Sequence, residues 1–226
     1  MIPIVAIRPE PGCSATVSLA ADIGLNVAPH PLFVTQPVDW ALPEADFDAI
    51  LLGSANVLRQ AGAKLDDLRH LPAFCVGETT ARAARDAGFT IAGIGSGGLQ
   101  SVLPLAAGCR HLLRLSGEAR APLAPPPGVR IETVTCYRLA ARPVDPALEA
   151  LLRRNALVLL HSGEAATHFA AEVHRLAIPR DAIRIACLAP RIAAAAGTGW
   201  GALSVADSPQ DRALLALAEQ MCQAAR

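Results

Sequence analysis

Apolar residues in this chain fall into short continuous runs, and most runs are followed by a small or hydroxylated residue and then an alanine-rich stretch. Residues 4–8, 47–53, 73–76, 90–93, 111–115, 157–161, 183–187 and 202–205 are the runs. They predict strands buried on both faces, as in a parallel sheet covered by helices. Helical spacing fills 14–23, 99–107, 146–154, 164–175, 190–197 and 209–224. Strands alternating with helices place the chain in the α/β class with parallel sheets. Two segments depart from this. Residues 27–38 are extended and carry Pro29, Pro31 and Pro37, and residues 129–139 alternate with a period of two. Each reads as an edge strand or a linker. Pro122 and Pro125 to Pro127 forbid a helix after residue 120 and predict a loop.

Residues 73–89 show the repeating unit most fully. An apolar run ends at Val76, Gly77 permits a tight turn, and Glu78, Thr79 and Thr80 supply helix-start chemistry before Gly88 stops the helix. Such a unit aims free backbone N–H groups above the sheet edge, where anions are held well. Taken alone, the copy reads as an ordinary turn between strand and helix. Residues 185–200 repeat it one residue shorter. Upstream, 47–60 and 156–169 match each other, placing Ser54 and Ser162 after their strands. The serines are 108 residues apart and Gly77 lies 112 from Ala189, so the pattern predicts two related α/β halves.

Composition narrows the function classes. Twenty basic residues balance twenty acidic ones, which argues against a nucleic acid or anionic membrane partner. Six cysteines, none in a C-x-x-C pair and several inside apolar runs, are expected to be reduced core residues of a cytoplasmic protein. The opening residues lack a signal-peptide layout, and no apolar run reaches membrane-spanning length.

Two motifs invite chemistry that the surroundings do not support. Residues 93–98 fit G-x-G-x-x-G, with Glu118 beyond, but the preceding strand is short and late in its half, so a flexible loop is expected. His161-Ser162 lacks a surrounding G-x-S-x-G. His168 and His174 share no helix face and have no partner at metal-ligand spacing. No catalytic triad, metal box or phosphate loop is read.

The motifs taken together resemble the uroporphyrinogen-III synthase family. Gly53-Ser54-Ala55-Asn56-Val57-Leu58 is similar to its Thr-Ser-x-Asn-Ala-Val stretch, and Val76-Gly77-Glu78-Thr79-Thr80-Ala81 to its Val-Gly-x-x-Thr-Ala. Gly117, Cys136-Tyr137-Arg138, His161-Ser162-Gly163, Gly199-Trp200 and Arg8-Pro9 follow in matching order over nearly the whole chain. The family's Gly-Pro-Thr-Thr-Ala reads Ala189-Pro190-Arg191-Ile192-Ala193 here, and its threonine before Ser54 is Gly53.

This resemblance implies two similar flavodoxin- or Rossmann-like domains. The first comprises 1–35 with 143–226, and the second, 38–134, is inserted through linker strands 29–38 and 129–142. Their cleft is expected to take the substrate. The implied reaction is the cyclising dehydration of hydroxymethylbilane to uroporphyrinogen III with inversion of ring D, a step of haem biosynthesis needing no cofactor or metal. Tyr137, the only tyrosine, is the residue expected to protonate or position the departing hydroxyl; its alternative role is packing on a linker strand. Arg8, Ser54, Gly77, Thr79, Thr80, Gly117, Ser162, Ala189 and Pro190 are expected to bind the many-carboxylate substrate, the glycines, Ser162, Ala189 and Pro190 mainly through backbone. The protein is expected to be a monomer. Alternatives are a two-lobed, non-catalytic binding module for an anionic small molecule and a dinucleotide-dependent oxidoreductase.

Overall fold

The computed structural model describes residues 2–224; residues 1 and 225–226 of the expected first domain lie outside them. The chain begins β1 (Ile4–Ala6), α1 (Gly12–Asp22), β2 (Val27–Pro29), β3 (Phe33–Pro37), β4 (Ala49–Leu52) and α2 (Asn56–Gln60). It continues with β5 (Ala73–Val76), α3 (Gly77–Asp86), β6 (Ile91–Gly95), β7 (His111–Gly117) and β8 (Arg130–Ala141). Then follow α4 (Pro146–Leu152), β9 (Leu157–Leu160), α5 (Gly163–Arg175), β10 (Arg184–Cys187), α6 (Pro190–Ala196), β11 (Ala202–Val205) and α7 (Asp211–Gln223). Two compact units result: Met1–Val34 with Ala140–Arg226, and Thr35–Leu139.

The first unit holds a five-stranded sheet in the order β11-β10-β9-β1-β2, every neighbouring pair parallel. Counted along the unit's own chain this is 2-1-3-4-5, the flavodoxin-like order, with its switch point between β1 and β9. Both central strands, Ile-Val-Ala and Leu-Val-Leu-Leu, are wholly buried. On one face Ile4, Ala6, Leu157, Leu159 and Ala186 pack against α1 and α7 through Cys13, Leu214 and Ala218. Helix starts follow residue chemistry. Asp145 accepts from Leu148 N–H at 2.7 Å, with Pro146 in the first turn, and Ser162 accepts from Ala165 N–H at 3.1 Å.

The second unit's sheet runs β3-β8-β7-β4-β5-β6, and β8-β7-β4-β5-β6 is parallel throughout. Its internal order is 3-2-1-4-5, so the switch point lies between β4 and β7. Alternate residues of β4 fill opposite cores. Ile50 and Leu52 meet Val57, Ala81 and Trp40, while Ala49 and Leu51 meet Leu99, Val102 and Leu103. Trp40 is fixed there by an Nε1–H bond to Ala61 O.

Several local expectations change. The helix expected at 99–107 is a 3-10 helix over Leu99–Ala106, because Pro104 inside it has no N–H for an α-helical ladder. The loop expected at 93–98 is half strand. A Cβ on Gly93 would lie 2.9 Å from the Phe74 ring, and one on Gly95 2.7 Å from Val102. These glycines therefore let edge strand β6 close on its neighbours. The hydroxyls expected to cap α3 do not: Val76 is its cap residue, without a side-chain bond, and Gly77 turns the chain at φ +73°. Segment 129–142 is more than a connector, since β8 follows β7 in register from Arg130 to Thr135. The stretch before it is irregular, as its prolines require, and is tied down by Gln100, which exchanges two hydrogen bonds with Ala124.

Candidate functional site

At the carboxyl edge of the second unit, the end of β4 leads to Ser54, the end of β5 to Gly77, and β7 ends in Ser116 and Gly117. A cavity of about 230 Å³ opens at this switch point, bordered by Ser54, Arg114, Ser116, Gly117, Arg120 and Tyr137. Ligands of open parallel sheets bind at such places.

Tyr137 reaches the cavity through an irregularity in β8. Ser116 pairs with Thr135, but Gly117 pairs with Tyr137, so Cys136 is an extra residue in the ladder. The bulge breaks alternation, and Cys136 and Tyr137 both touch the cluster containing Leu115. The phenol then lies on Gly117, where a Cβ would stand 2.7 Å from Tyr137 Cζ. Only glycine leaves room for the ring, and Glu118 N–H bonds to Tyr137 O at 2.9 Å to hold the strand ends together. Ser54 accepts from Asn56 N–H at 3.2 Å, and the Ser116 hydroxyl donates to Gly117 O at 2.8 Å.

Two arginines that the sequence reading passed over line the same cavity. Arg114 lies mid-strand in β7 among apolar residues and is only 8 % exposed. Its Nη2 donates to Ala121 O at 3.0 Å, while its buried Nε has no partner. Burial, and then repulsion from Arg120, lowers its pKa below the usual arginine range. Arg120 Nη1 donates to Gly117 O, Glu118 O and Thr135 Oγ1. Among the described residues, neither arginine has a carboxylate within ion-pair distance. The signal for Arg114 was its place inside an apolar strand, where a cation has no water to solvate it.

Thus Ser54, Gly117 and Tyr137 come together at one cavity, next to the Val76–Gly77 turn. Thr80 is buried inside α3 and Thr79 is exposed on it; neither borders the cavity.

The remaining predicted residues lie at the carboxyl edge of the first unit. Arg8, just past β1, is engaged internally: Nη1 donates to Asp211 Oδ2 at 2.9 Å and to Thr16 Oγ1 at 3.3 Å. Thr16 in turn donates to Asp211 at 2.8 Å. His161, just past β9, has a side chain 6 % exposed, 3.4 Å from Asp211, and neither ring nitrogen has a hydrogen-bond partner. Burial, with Arg8 adding to it and Asp211 opposing, holds its pKa below 6.5. Ser162 spends its oxygen on capping α5, and Ala189 and Pro190 open α6, where no side-chain cap is made. Among the described residues no group of three or more His, Cys, Asp or Glu side chains gathers as a metal site.

The chain matches the uroporphyrinogen-III synthase HemD family over residues 14–216. Among solved structures it is similar to a uroporphyrinogen-III synthetase from Helicobacter pylori, at 16 % identity and a TM-score of 0.63, covering 98 % of this chain and 100 % of that one. A mutant uroporphyrinogen III synthase from the extremely thermophilic bacterium Thermus thermophilus is 19 % identical with a TM-score of 0.48, covering 98 % and 99 % of the two chains. At 16 % identity the likeness to the Helicobacter pylori protein is one of fold. No curated protein matches. Since the family match spans nearly all of the two α/β units, this chain belongs to the uroporphyrinogen-III synthase family.

Proposed function

We propose that the cavity at the carboxyl edge of the second unit is where this chain acts on its substrate, and that Tyr137 is its catalytic side chain. The reaction is that of the family: hydroxymethylbilane, a linear tetrapyrrole, is cyclised and dehydrated to uroporphyrinogen III with inversion of ring D. The terminal C–O bond breaks with its electrons on oxygen, the pyrrole nitrogen feeds electrons into the vacated carbon, and the oxygen takes a proton and leaves as water. Tyr137 O–H stands to supply that proton or a hydrogen bond. Holding the open chain so that the correct carbon attacks is an orientation effect, to which a fixed site contributes most.

The observation carrying this reading is the phenol seated on Gly117 by the β8 bulge, at a cavity on the sheet's switch point. Backbone groups at Gly77, Gly117, Ser162 and Ala189, with Ser54 and Thr79, are assigned to substrate binding; Thr80, buried inside α3, Arg8, held by Asp211, and Pro190, without an N–H, are left out of it. The same reading takes the chain as a cytoplasmic monomer; the free thiols of Cys13, Cys75, Cys109, Cys136 and Cys187 suit a reducing compartment.

The test is freshly made hydroxymethylbilane with purified protein and no added cofactor or metal. Type III uroporphyrinogen is the expected product, and type I alone, the spontaneous isomer, would refute the reading. Tyr137→Phe keeps the packing and removes the donor. Its kcat should drop about 10²-fold, the low end for general acid help, with KM little changed.

A further inference from the structure

We infer that Arg114, seconded by Arg120, forms a carboxylate subsite in the second unit's cavity that takes one acid arm of the tetrapyrrole. This rests on the proposed function and goes beyond it by assigning a charged side-chain anchor at a cavity to which Ser54, Tyr137 and backbone groups had been assigned.

Three observations converge. Arg114 is over nine-tenths buried, with a buried Nε that has no partner and a single hydrogen bond, from Nη2 to Ala121 O. A buried charge without a counterion is costly, and a ligand that completes it is one reason for a protein to keep it. Arg120, the second cation at this cavity, binds only neutral oxygens of Gly117, Glu118 and Thr135. Two guanidiniums bordering one cavity repel each other until an anion joins them, and a carboxylate suits their planar forks. Size is the third. At about 230 Å³ the open cavity is smaller than the roughly 300–1,000 Å³ that encloses a drug-sized ligand, a size that suits one acid arm of a substrate lying across its mouth.

Arg114 pairs with Leu51 of β4 and Thr133 of β8, and Gly117 with Tyr137 lies three residues further along β7. An arm held at Arg114 would keep the tetrapyrrole at the cavity that the phenol also borders. Arg114 acts on the reaction by binding and positioning.

The experiment compares wild type, Arg114→Met and Arg114→Lys. Binding is read by fluorescence titration with uroporphyrin III, the stable oxidised product with the same eight acid arms, and KM and kcat are measured with hydroxymethylbilane. Arg114→Met should weaken porphyrin binding and raise KM by about 10- to 100-fold, the range for losing hydrogen bonds to a charged group. Arg114→Lys should recover part of this, because it restores charge without the fork. Urea unfolding controls for damage to the fold; if Arg114→Met is less stable than wild type, Arg114→Lys decides alone. Wild-type affinity and KM in a folded Arg114→Met, or in Arg114→Lys where that variant decides, overturn the subsite. The isomer assay on wild type separates the two readings. Type III product with no Arg114 effect removes the subsite only; a binding loss in Arg114→Met without type III product keeps the subsite and removes the proposed function.

Discussion

Past β1 in the first unit, Arg8 meets Asp211 at 2.9 Å and shares Thr16 with it, so the cation at that switch point is balanced within the protein. Beside the switch point of the second unit, Arg114 is more deeply buried, has no acid, and faces a cavity. Two sheets of the same class have thus treated the same kind of side chain in opposite ways. A compensated cation holds its surroundings together, and its loss is felt as instability. An uncompensated one weakens the resting fold and is kept for what it binds. The partner within bonding distance, more than the residue type, separates a structural arginine from a binding one.

Substitutions on the two sides should therefore differ in sign. Asp211→Ala strips Arg8 and Thr16 of their acceptor and should lower the unfolding free energy by about 2–3 kcal/mol, reduced from a fully buried pair by the partial exposure of both groups. Arg114→Met should leave stability unchanged or raise it by about 1 kcal/mol. Urea unfolding of the two proteins checks this, and equal losses in both would erase the contrast.

The first unit's reliance on paired charge also predicts acid sensitivity. Glu172 accepts from Val144 N–H at 2.7 Å and pairs with Arg175; the Arg175 bond comes first among the causes that bring its pKa from 4.5 to about 2. A folded-state pKa below the unfolded one gives stability that is present above pH 4.5 and lost as pH falls toward 2. Glu172→Gln should cost about 2 kcal/mol at neutral pH and flatten that limb of the pH–stability curve.

Gly117→Ala probes the hollow side. The added methyl meets the Tyr137 ring, so stability should fall by about 1–2 kcal/mol, and turnover should fall further than stability because the phenol is displaced. Normal turnover would separate the ring's seat from its chemistry. The smallest effect belongs to His161, faced by Arg8 and Asp211. Its pKa is depressed, so stability should begin to decline as pH drops below 6.5, and His161→Phe should remove that onset in a careful denaturation series.

Much of the fold was legible because wholly apolar strands such as 49–52 and 157–160 can only be central and parallel, and glycine or serine marks their ends. The site was partly legible. Ser54, Gly117 and Tyr137 carried a resemblance and meet at one cavity, yet the reason Gly117 is glycine became visible only once the bulge at Cys136 was known. Arg114 was missed because 111–115 was read as one apolar run, so the single charge inside it drew no notice, although β7 is buried almost throughout. Thr79 and Thr80 attracted attention as hydroxyls at a helix start, but a local pattern does not reveal that Thr80 turns into the core.

Tyr137 is the sole tyrosine in the chain. A culture fed 3-fluorotyrosine would therefore place one fluorine nucleus in this protein, on the ring that rests against Gly117. Its NMR spectrum is then a single signal with no assignment problem. Ring flipping against the glycine, the arrival of an anion beside it and the removal of water from its hydroxyl would each shift or broaden that one line. The bulge that seats the phenol has left the molecule with one addressable atom, at the place where its chemistry is proposed to happen.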